Sequence, residues 1–430
     1  MASAILARML RHLMSDEGQL RSRYEMIFFF IFAFILALQL LHWHVFRRIT
    51  PNRLRPLLPW LLAAIHLPLV TYFALRLTGA VPNEFSHALR PFARAGFYFQ
   101  AFTAVHLFIL AFAEILWWER FRHRLPDLET EAEADVEVED PVRRAFLRKV
   151  ATGGLGVAAI GAGYGTSEAY GDPSITRINL SFPDLPPGLD GLKLVQLSDL
   201  HIGPMLGPKT VARWRVLTDR EAPDLLLVTG DFVDSLPDEI APFIESFGHF
   251  PAPLGCFAIL GNHDYFTDPK PMWKDLEGVG FQCLENANRL VERNGALLAV
   301  IGISDPMASN GRFRGVHFGD GPMPDLAMQG IPDRAWRLCL SHRPSNWDLA
   351  VTTGAKLTLS GHTHGGQVNI IPGVSSARLM GPYTRGLFEE NGFKLYVSRG
   401  LGVVGIPLRL GAPPEIVVIT LRTTKALGNH

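Results

Sequence analysis

Cysteine is close to absent: Cys256, Cys283 and Cys339 are the only three in 430 residues. No two of them stand in a Cys-x-x-Cys pair and their number is odd, which excludes a disulfide framework and a thiolate metal site. Buried free thiols are expected instead. An excess of either charge is also lacking. Lys plus Arg number 41 and Asp plus Glu number 41, so no net charge draws the chain to nucleic acid. Apolar residues are abundant: 48% of the chain is hydrophobic and Phe alone counts 28, crowded towards the N-terminus. That content is high for a wholly soluble protein, and the length exceeds one ordinary domain. The distribution predicts membrane segments followed by a globular domain.

Met26 to Phe46 is a nearly continuous apolar run without a polar face. At about 1.5 Å per residue it can cross a hydrocarbon core about 30 Å thick. Leu57 to Leu75 and Phe97 to Trp118 are further candidate spans, and Trp43, Trp60, Trp117 and Trp118 lie near their ends, where amphipathic rings favour the headgroup layer. His66, His106 and Glu114 fall inside the spans as helix-packing candidates, with His42 and His44 interfacial. Residues 1–118 are thus expected to be an all-α transmembrane region with three spans. Residues 119–149 form a charged linker that carries Asp127, Glu129, Glu131, Glu133, Asp135, Glu137, Glu139 and Asp140 and cannot bury enough apolar surface to fold alone. Residues 150–172 begin after Arg143-Arg144 with a small-residue apolar stretch. It resembles a twin-arginine export signal placed internally and is a candidate fourth span, with a short linker helix as the alternative. An outside N-terminus puts 11 Lys and Arg on the inner side and 7 on the outer. Positive-inside then favours an external catalytic domain if the fourth segment spans, and a cytoplasmic one if it does not.

From about Ile175 the texture changes to short runs of Val, Ile and Leu punctuated by Gly, Pro and Asp. Leu192–Leu197, Leu225–Thr229, Phe257–Leu260, Leu297–Ile301, Leu338–Leu340 and Leu357–Leu359 read as buried strands, and Lys209–Glu221 as a helix. Strands alternating with helices predict an α/β domain over 173–424. Polar motifs follow directly on these strands: Ser198-Asp199-Leu200-His201, Gly230-Asp231, Gly261-Asn262-His263-Asp264, Ser341-His342 and Gly361-His362-Thr363-His364-Gly365-Gly366. They therefore gather at strand ends, where open α/β sheets bind ligands.

The residue types suit a two-metal hydrolytic centre. Asp199 and His201, two apart in extended chain, point the same way and can grip one metal. The carboxylate of Asp231 can bridge two cations, Asn262 offers an amide oxygen, and His342 an imidazole. His362 and His364 can each reach a different ion, because the centres need lie only about 3.5–4 Å apart, and Gly361, Gly365 and Gly366 permit the turn between strand and loop. Oxygen and nitrogen ligands without thiolate suit Mn, Fe or Zn. His263 beside Asn262 is placed to protonate a leaving group, with Asp264 as its orienting partner. Arg343, Arg385 and Arg399 are candidate phosphate contacts, and the irregular stretch Ser304 to Pro332 is a candidate lid or packing loop.

These five motifs, in this order, resemble the calcineurin-like metallophosphoesterase superfamily. The text from Gly191 to His201 is similar to its membrane-associated bacterial branch, which includes the YkuE and YaeI proteins. The resemblance covers about Ile175 to Leu421 and implies a two-sheet β-sandwich flanked by helices, with both metals at one edge. Carried over, one divalent ion would take Asp199, His201, Asp231 and His364, and the other Asp231, Asn262, His342 and His362. The departure is upstream, where several spans replace one export signal; eukaryotic transmembrane proteins with a metallophosphoesterase domain are a looser parallel. The implied activity is hydrolysis of a phosphomonoester or phosphodiester by metal-activated hydroxide, at a bacterial inner membrane and on a phosphorylated small molecule or lipid-linked phosphate. The alternatives are a UDP-2,3-diacylglucosamine pyrophosphatase of lipid A synthesis, which requires a cytoplasmic site, and a non-catalytic metal-binding sensor.

Overall fold

The computed structural model describes Pro56, Trp60 and residues 160–424, apart from 204, 235, 267, 311–317 and 370–373. Apart from Trp60, the three expected spans lie outside the described residues, as do the linker, His42, His44, His66, His106, Glu114 and residue range 150–159 of the expected fourth segment. Among the described residues no helix is long and apolar enough to cross a membrane. The chain divides into two compact units, 1–161 and 162–430, and the second holds every motif residue.

Helix α1 (160–170) leads into β1 (Ser174–Phe182), β2 (Lys193–Leu197), α2 (Pro208–Glu221), β3 (Leu225–Thr229), α3 (Ala241–Phe247), β4 (Cys256–Ile259), α4 (Lys270–Gly278) and β5 (Phe281–Cys283). Then come β6 (Ala287–Arg293), β7 (Ala296–Ile303), β8 (Trp336–Ser341), α5 (Trp347–Thr352), β9 (Leu357–Ser360), β10 (Gly386–Glu390), β11 (Phe393–Val397) and β12 (Glu415–Thr423). Two mixed six-stranded sheets result, ordered β1-β12-β2-β3-β4-β5 and β10-β11-β9-β8-β7-β6. In the first, β2, β3, β4 and β5 run parallel; in the second, β7, β8, β9 and β11 do.

Burial on both faces explains why the central strands read as unbroken apolar runs rather than alternating ones. In β3, Leu225 and Leu227 join the core between the sheets, where they meet Leu338, Leu340, Leu357 and Leu359 of the second sheet's strands. Leu226 and Val228 face the other way, into a core with Trp214, Phe243 and Met272 of the helices. Each fully buried Leu stabilises the fold by roughly 2 kcal/mol relative to exposure. Helix α2 buries Val211, Trp214, Thr218 and Glu221, a three-and-four spacing that forms one face. Trp347 and Ala350 of α5 cover the outer face of the second sheet with Ile301 and Cys339.

The six expected strands and the helix are present with small shifts at their ends. Six further strands were not foreseen. The burial of β6 and β10 is mixed or exposed, so their sequences lack the apolar signature. Strand β12 is a long apolar run at the far end of the chain, yet it lies between β1 and β2. Its partner strands are more than two hundred residues upstream, beyond any local pattern. All three cysteines are buried free thiols. The stretch after β7 carries the single helical turns Met307–Asn310 and Pro324–Ala327.

Candidate metal centre

The motifs sit at the C-terminal ends of β2, β3, β4, β8 and β9, so both sheets contribute to one site. Asp199, His201, Asp231, His362 and His364 all have left-handed backbones, with φ between 43° and 71°. That region is sparsely populated for residues other than glycine, and its concentration here marks a site held in shape by its surroundings. Gly365 and Gly366 are also left-handed, as the turn requires. Gly361 is required for space: a Cβ there would fall on Ser198 Oγ and Asp199 Oδ2.

Three overlapping groups of donor atoms emerge. Asp199, His201 and His364 form one, Asp231, His342 and His362 another, and His201, Asp231 and His263 a third that joins them; within each, the donor atoms all lie within 4.8 Å of one another. His201 Nε2 is 3.0 Å from His364 Nε2, and His364 Nε2 is 3.6 Å from Asp199 Oδ1. Asp231 Oδ2 stands between the groups, 3.5 Å from His201 Nε2 and 3.2 Å from His342 Nε2. His342 Nε2 is also 3.2 Å from Asn262 Oδ1. His362 and His364 thus divide between the first two groups, although one residue separates them.

Hydrogen bonds behind these atoms fix their aim. The amide of His362 donates to Asp199 Oδ1 at 2.7 Å, and that of His263 to Asp231 Oδ1 at 2.8 Å. Each carboxylate is therefore clamped by the backbone of a later motif. His342 Nδ1 lies 2.8 Å from the carbonyl oxygen of Thr229. A carbonyl only accepts, so Nδ1 carries the proton and Nε2 is left to face the site. Beneath the centre, fully buried Gln196 donates through Nε2 to Thr229 Oγ1 at 3.0 Å and to the Ser360 carbonyl at 2.9 Å. It ties the first sheet to the second directly below the ligands.

Electrostatics prepare the same arrangement. Burial keeps His201, His362 and His364 well below the usual histidine range, helped by His263 at His201, His342 at His362 and His201 at His364. They are neutral, the form that binds metal. Burial opposes charge on His342, but the carboxylates of Asp231, Asp199 and Asp305 outweigh it and raise the group to about 10. Burial likewise opposes charge on Asp231, yet His342, His263 and His201 hold it well below the carboxylate range. Asp199 is pushed up to about 6 by burial, with Asp231 adding and His342 opposing. Asp199 Oδ2 is buried without a hydrogen-bond partner. An orphaned carboxylate oxygen, neutral imidazoles and a shared aspartate fit a pair of divalent cations.

Metal loading is expected to release roughly one to two protons per molecule at pH 7, because His342 must give up its proton to bind. Apparent affinity then falls as pH drops. Calorimetric titration of the metal-free protein in buffers of different ionisation enthalpy checks this; heats independent of the buffer would contradict it.

Several expected site residues are placed differently from expectation. Asp264 does not orient the ring of His263. Its oxygens accept from the amides of Phe232 (2.9 Å), Val233 (3.2 Å) and Gly261 (2.9 Å), so it braces the loops after β3 and β4. Burial, then Asp231, pushes it up to about 8. The His263 ring instead holds the carbonyl of Asp234 through Nδ1 at 2.8 Å and stands edge-on to His201, centroids 4.5 Å apart. Arg343 is paired with buried Asp305 at 2.7 and 3.1 Å. Arg399 binds Glu415 and Ser174 at 2.8 and 2.7 Å, and Arg385 the Gly411 carbonyl at 2.5 Å. None of the three lines the cleft beside the centre. These arginines have protein partners because their loops close on one another, a contact no local pattern encodes.

Arg409 was not foreseen. It is fully buried, with Nη2 3.3 Å from His364 Nδ1 and further bonds to the carbonyls of Ala412, Arg399, Gly400 and Gly402. Burial lowers it to about 10, so it stays charged at neutral pH. An arginine between Leu408 and Leu410 in a Gly/Pro-rich closing segment was the available cue. The amide of Arg409 also donates to the Gly165 carbonyl at 2.9 Å, which docks α1 behind the centre.

A cleft of about 320 Å³ opens onto the site, lined by Asp231, Asn262, His263, His362 and His364 and, further out, Ala377, Met380 and Val404.

Comparison with known proteins gives a consistent picture. A family model described as calcineurin-like phosphoesterase matches residues 192–366. A transmembrane protein with metallophosphoesterase domain from Danio rerio is 32% identical over 273 residues, 62% of this chain and 61% of that protein. The uncharacterized metallophosphoesterase YkuE of Bacillus subtilis is 30% identical over 307 residues, covering 66% of this chain and 98% of that one. An uncharacterized metallophosphoesterase of Aquifex aeolicus is 30% identical over 249 residues, 58% and 91% respectively. The chain spans about three fifths of the vertebrate relatives it matches.

Proposed function

Because the chain belongs to the calcineurin-like metallophosphoesterase family, we propose that it is a membrane-anchored hydrolase of phosphoric esters that works with two divalent metal ions. The observation that carries this reading is the set of overlapping donor groups that Asp231 joins, with one oxygen facing both His201 and His342. Asp199, His201, Asp231 and His364 would hold one ion, and Asp231, Asn262, His342 and His362 the other. Bound there, divalent cations supply Lewis acidity towards a phosphoryl group and lower the pKa of water enough for attack at neutral pH.

The chain's own residues do the rest. Clamped by the His362 and His263 amides, Asp199 and Asp231 keep their oxygens aimed at the ions. Asp234's carbonyl holds the Nδ1 proton of His263, so in the imidazolium form Nε2 is the nitrogen whose proton would pass to the departing oxygen, leaving the neutral ring with its proton on Nδ1. His263 lines the cleft, as a proton donor to the leaving group must. Arg343, Arg385 and Arg399 do not line the cleft, so charge recognition of phosphate would fall to the metals. Membrane anchoring is supported by the apolar runs before residue 119 and by the transmembrane relatives. The distribution of Lys and Arg supports an external, periplasmic catalytic unit; a C-terminal reporter that is active only in the cytoplasm would overturn that placement.

His263→Ala tests the chemistry. Turnover of a phosphoester is expected to drop by about 10²–10⁴-fold while metal content stays at the wild-type level. Full metal with unchanged turnover would remove His263 from the mechanism. A fully metal-loaded wild type inert towards phosphomonoesters and phosphodiesters alike would favour a binding module instead.

A further inference from the structure

The metal ligands explain how a phosphoryl group is held, but not what it is attached to. The outer part of the cleft addresses that. It continues from His263 and His362 onto Ala377, Met380 and Val404. The Ser376–Leu379 turn keeps Ala377 packed inward at 2% exposure, while Leu379 at its end is 94% exposed and the next residue, the cleft-lining Met380, is 54% exposed. Exposed single hydrophobics are ordinary on a protein surface, but here an exposed pair, Leu379 and Met380, adjoins a reactive cleft that Met380 itself lines. The side chains of Ala377, Met380 and Val404 offer no partner for a sugar hydroxyl or a nucleobase amide. The polar side chains that share the lining, Thr363, Gln367 and Ser376, have their donors committed: the Thr363 and Ser376 hydroxyls donate to the carbonyls of Thr384 and Gly366, and Gln367 is bonded to the backbone of Val404 and Ile406. Arg385 and Arg399 are likewise committed elsewhere.

We propose that the substrate is an amphiphilic phosphoester whose aliphatic chain lies along Ala377, Met380 and Val404, with Leu379 at the rim. This rests on the phosphohydrolase reading and specifies its substrate class. The wall is continuous with the ligand-bearing cleft, so whatever the phosphoryl group carries must run over it. The reaction balances without another reactant. Water adds its oxygen to phosphorus, the bond from phosphorus to the alkyl oxygen breaks, and one water proton ends on the released alcohol.

The test is a series of alkyl phosphates and methyl alkyl phosphodiesters from methyl to octyl, kept below their micellar concentrations. The metal-loaded full-length protein is assayed in detergent, with released product measured by mass spectrometry. A fully buried methylene is worth about fourfold, and a half-exposed wall roughly twofold. The expected kcat/KM therefore rises roughly 100-fold from methyl to octyl. In Leu379→Ser/Met380→Ser the octyl-to-methyl ratio falls below about tenfold, whereas Leu387→Ser, an exposed apolar residue on β10 away from the cleft, retains the wild-type ratio. Both substituted positions are exposed, so folding is not at stake, and thermal unfolding verifies it. Turnover with a flat chain-length series, or a slope untouched by the double substitution, overturns the substrate assignment and leaves the phosphohydrolase reading intact. No turnover of any ester overturns both. A dodecyl ester embedded in phospholipid vesicles then locates the source: cleavage there points to a bilayer lipid, and cleavage of dispersed monomers alone to a soluble amphiphile.

Discussion

Asp231→Asn is expected to empty both metal positions and to lower phosphoester turnover by at least about 10³-fold, the scale expected when a two-metal centre is lost. Asp231 is the one carboxylate with an oxygen facing both donor groups, at 3.5 Å from His201 Nε2 and 3.2 Å from His342 Nε2. An amide supplies neither the charge nor the bridging lone pairs. The metal-free protein should suffer as well. His342 and Asp231 form a buried pair, their side chains 0% and 2% exposed, and removing one partner of such a pair costs about 3 kcal/mol. The pH dependence has a definite sign. Asp231 is depressed, so its contribution is present above the unfolded carboxyl value and lost as pH falls through its folded one. His342 is raised to about 10, so its contribution is complete below the unfolded histidine value and lost as pH rises through 10. The stability gap between metal-free wild type and variant should thus be widest in mildly acidic solution and close above pH 10. Denaturant titrations of the two metal-free proteins across that range, with elemental analysis of the loaded forms, check it. A variant with full metal and turnover would remove Asp231 from the centre.

Gly361→Ala is expected to have the next largest effect for so small a change. The added methyl would occupy the space of Ser198 Oγ and Asp199 Oδ2. Neither can yield easily: Ser198 accepts from Thr229 Oγ1 at 2.7 Å, and Asp199 is fully buried and clamped by His362. Overpacking at such a site costs about 1–3 kcal/mol, or roughly 5 °C in melting temperature for a unit of this size. Displacing Asp199 disturbs the group with His201 and His364 more than the group with His342 and His362, so occupancy should fall towards a single ion. Calorimetry and metal analysis on the purified variant measure both; two full equivalents of metal at the wild-type melting temperature would show that Asp199 has room to move.

Much of the centre was legible before folding was considered. Asp199, His201, Asp231, Asn262, His342, His362 and His364 each follow directly on an apolar run, and strand ends in α/β sheets are where ligands collect. Helix α2 and the six central strands were legible for the same local reason: burial on both faces writes itself as an apolar run. The edge strands β6 and β10 were not, since a mixed or exposed strand has the composition of a loop. The division of the two turn histidines followed from the family resemblance, and the donor groups in the structure agree with it.

The roles of the remaining residues depend on contacts between distant segments. Asp264 was placed beside His263 by adjacency, yet its carboxylate turns to amides thirty residues upstream. Arg343, Arg385 and Arg399 looked available for phosphate, and each has a protein partner instead. Gln196 carried no local sign and Arg409 only its apolar neighbours Leu408 and Leu410, because what matters about both is which loop or sheet they reach. The sequence by itself determined which side chains are candidate metal ligands and that they stand at strand ends, because apolar runs and the residues after them are local properties of the chain. Only the tertiary structure decided which groups brace those ligands and that Ala377, Met380 and Val404 join the lining of the cleft beside them. Those facts depend on how two sheets stack and on loops from opposite ends of the domain closing over one edge.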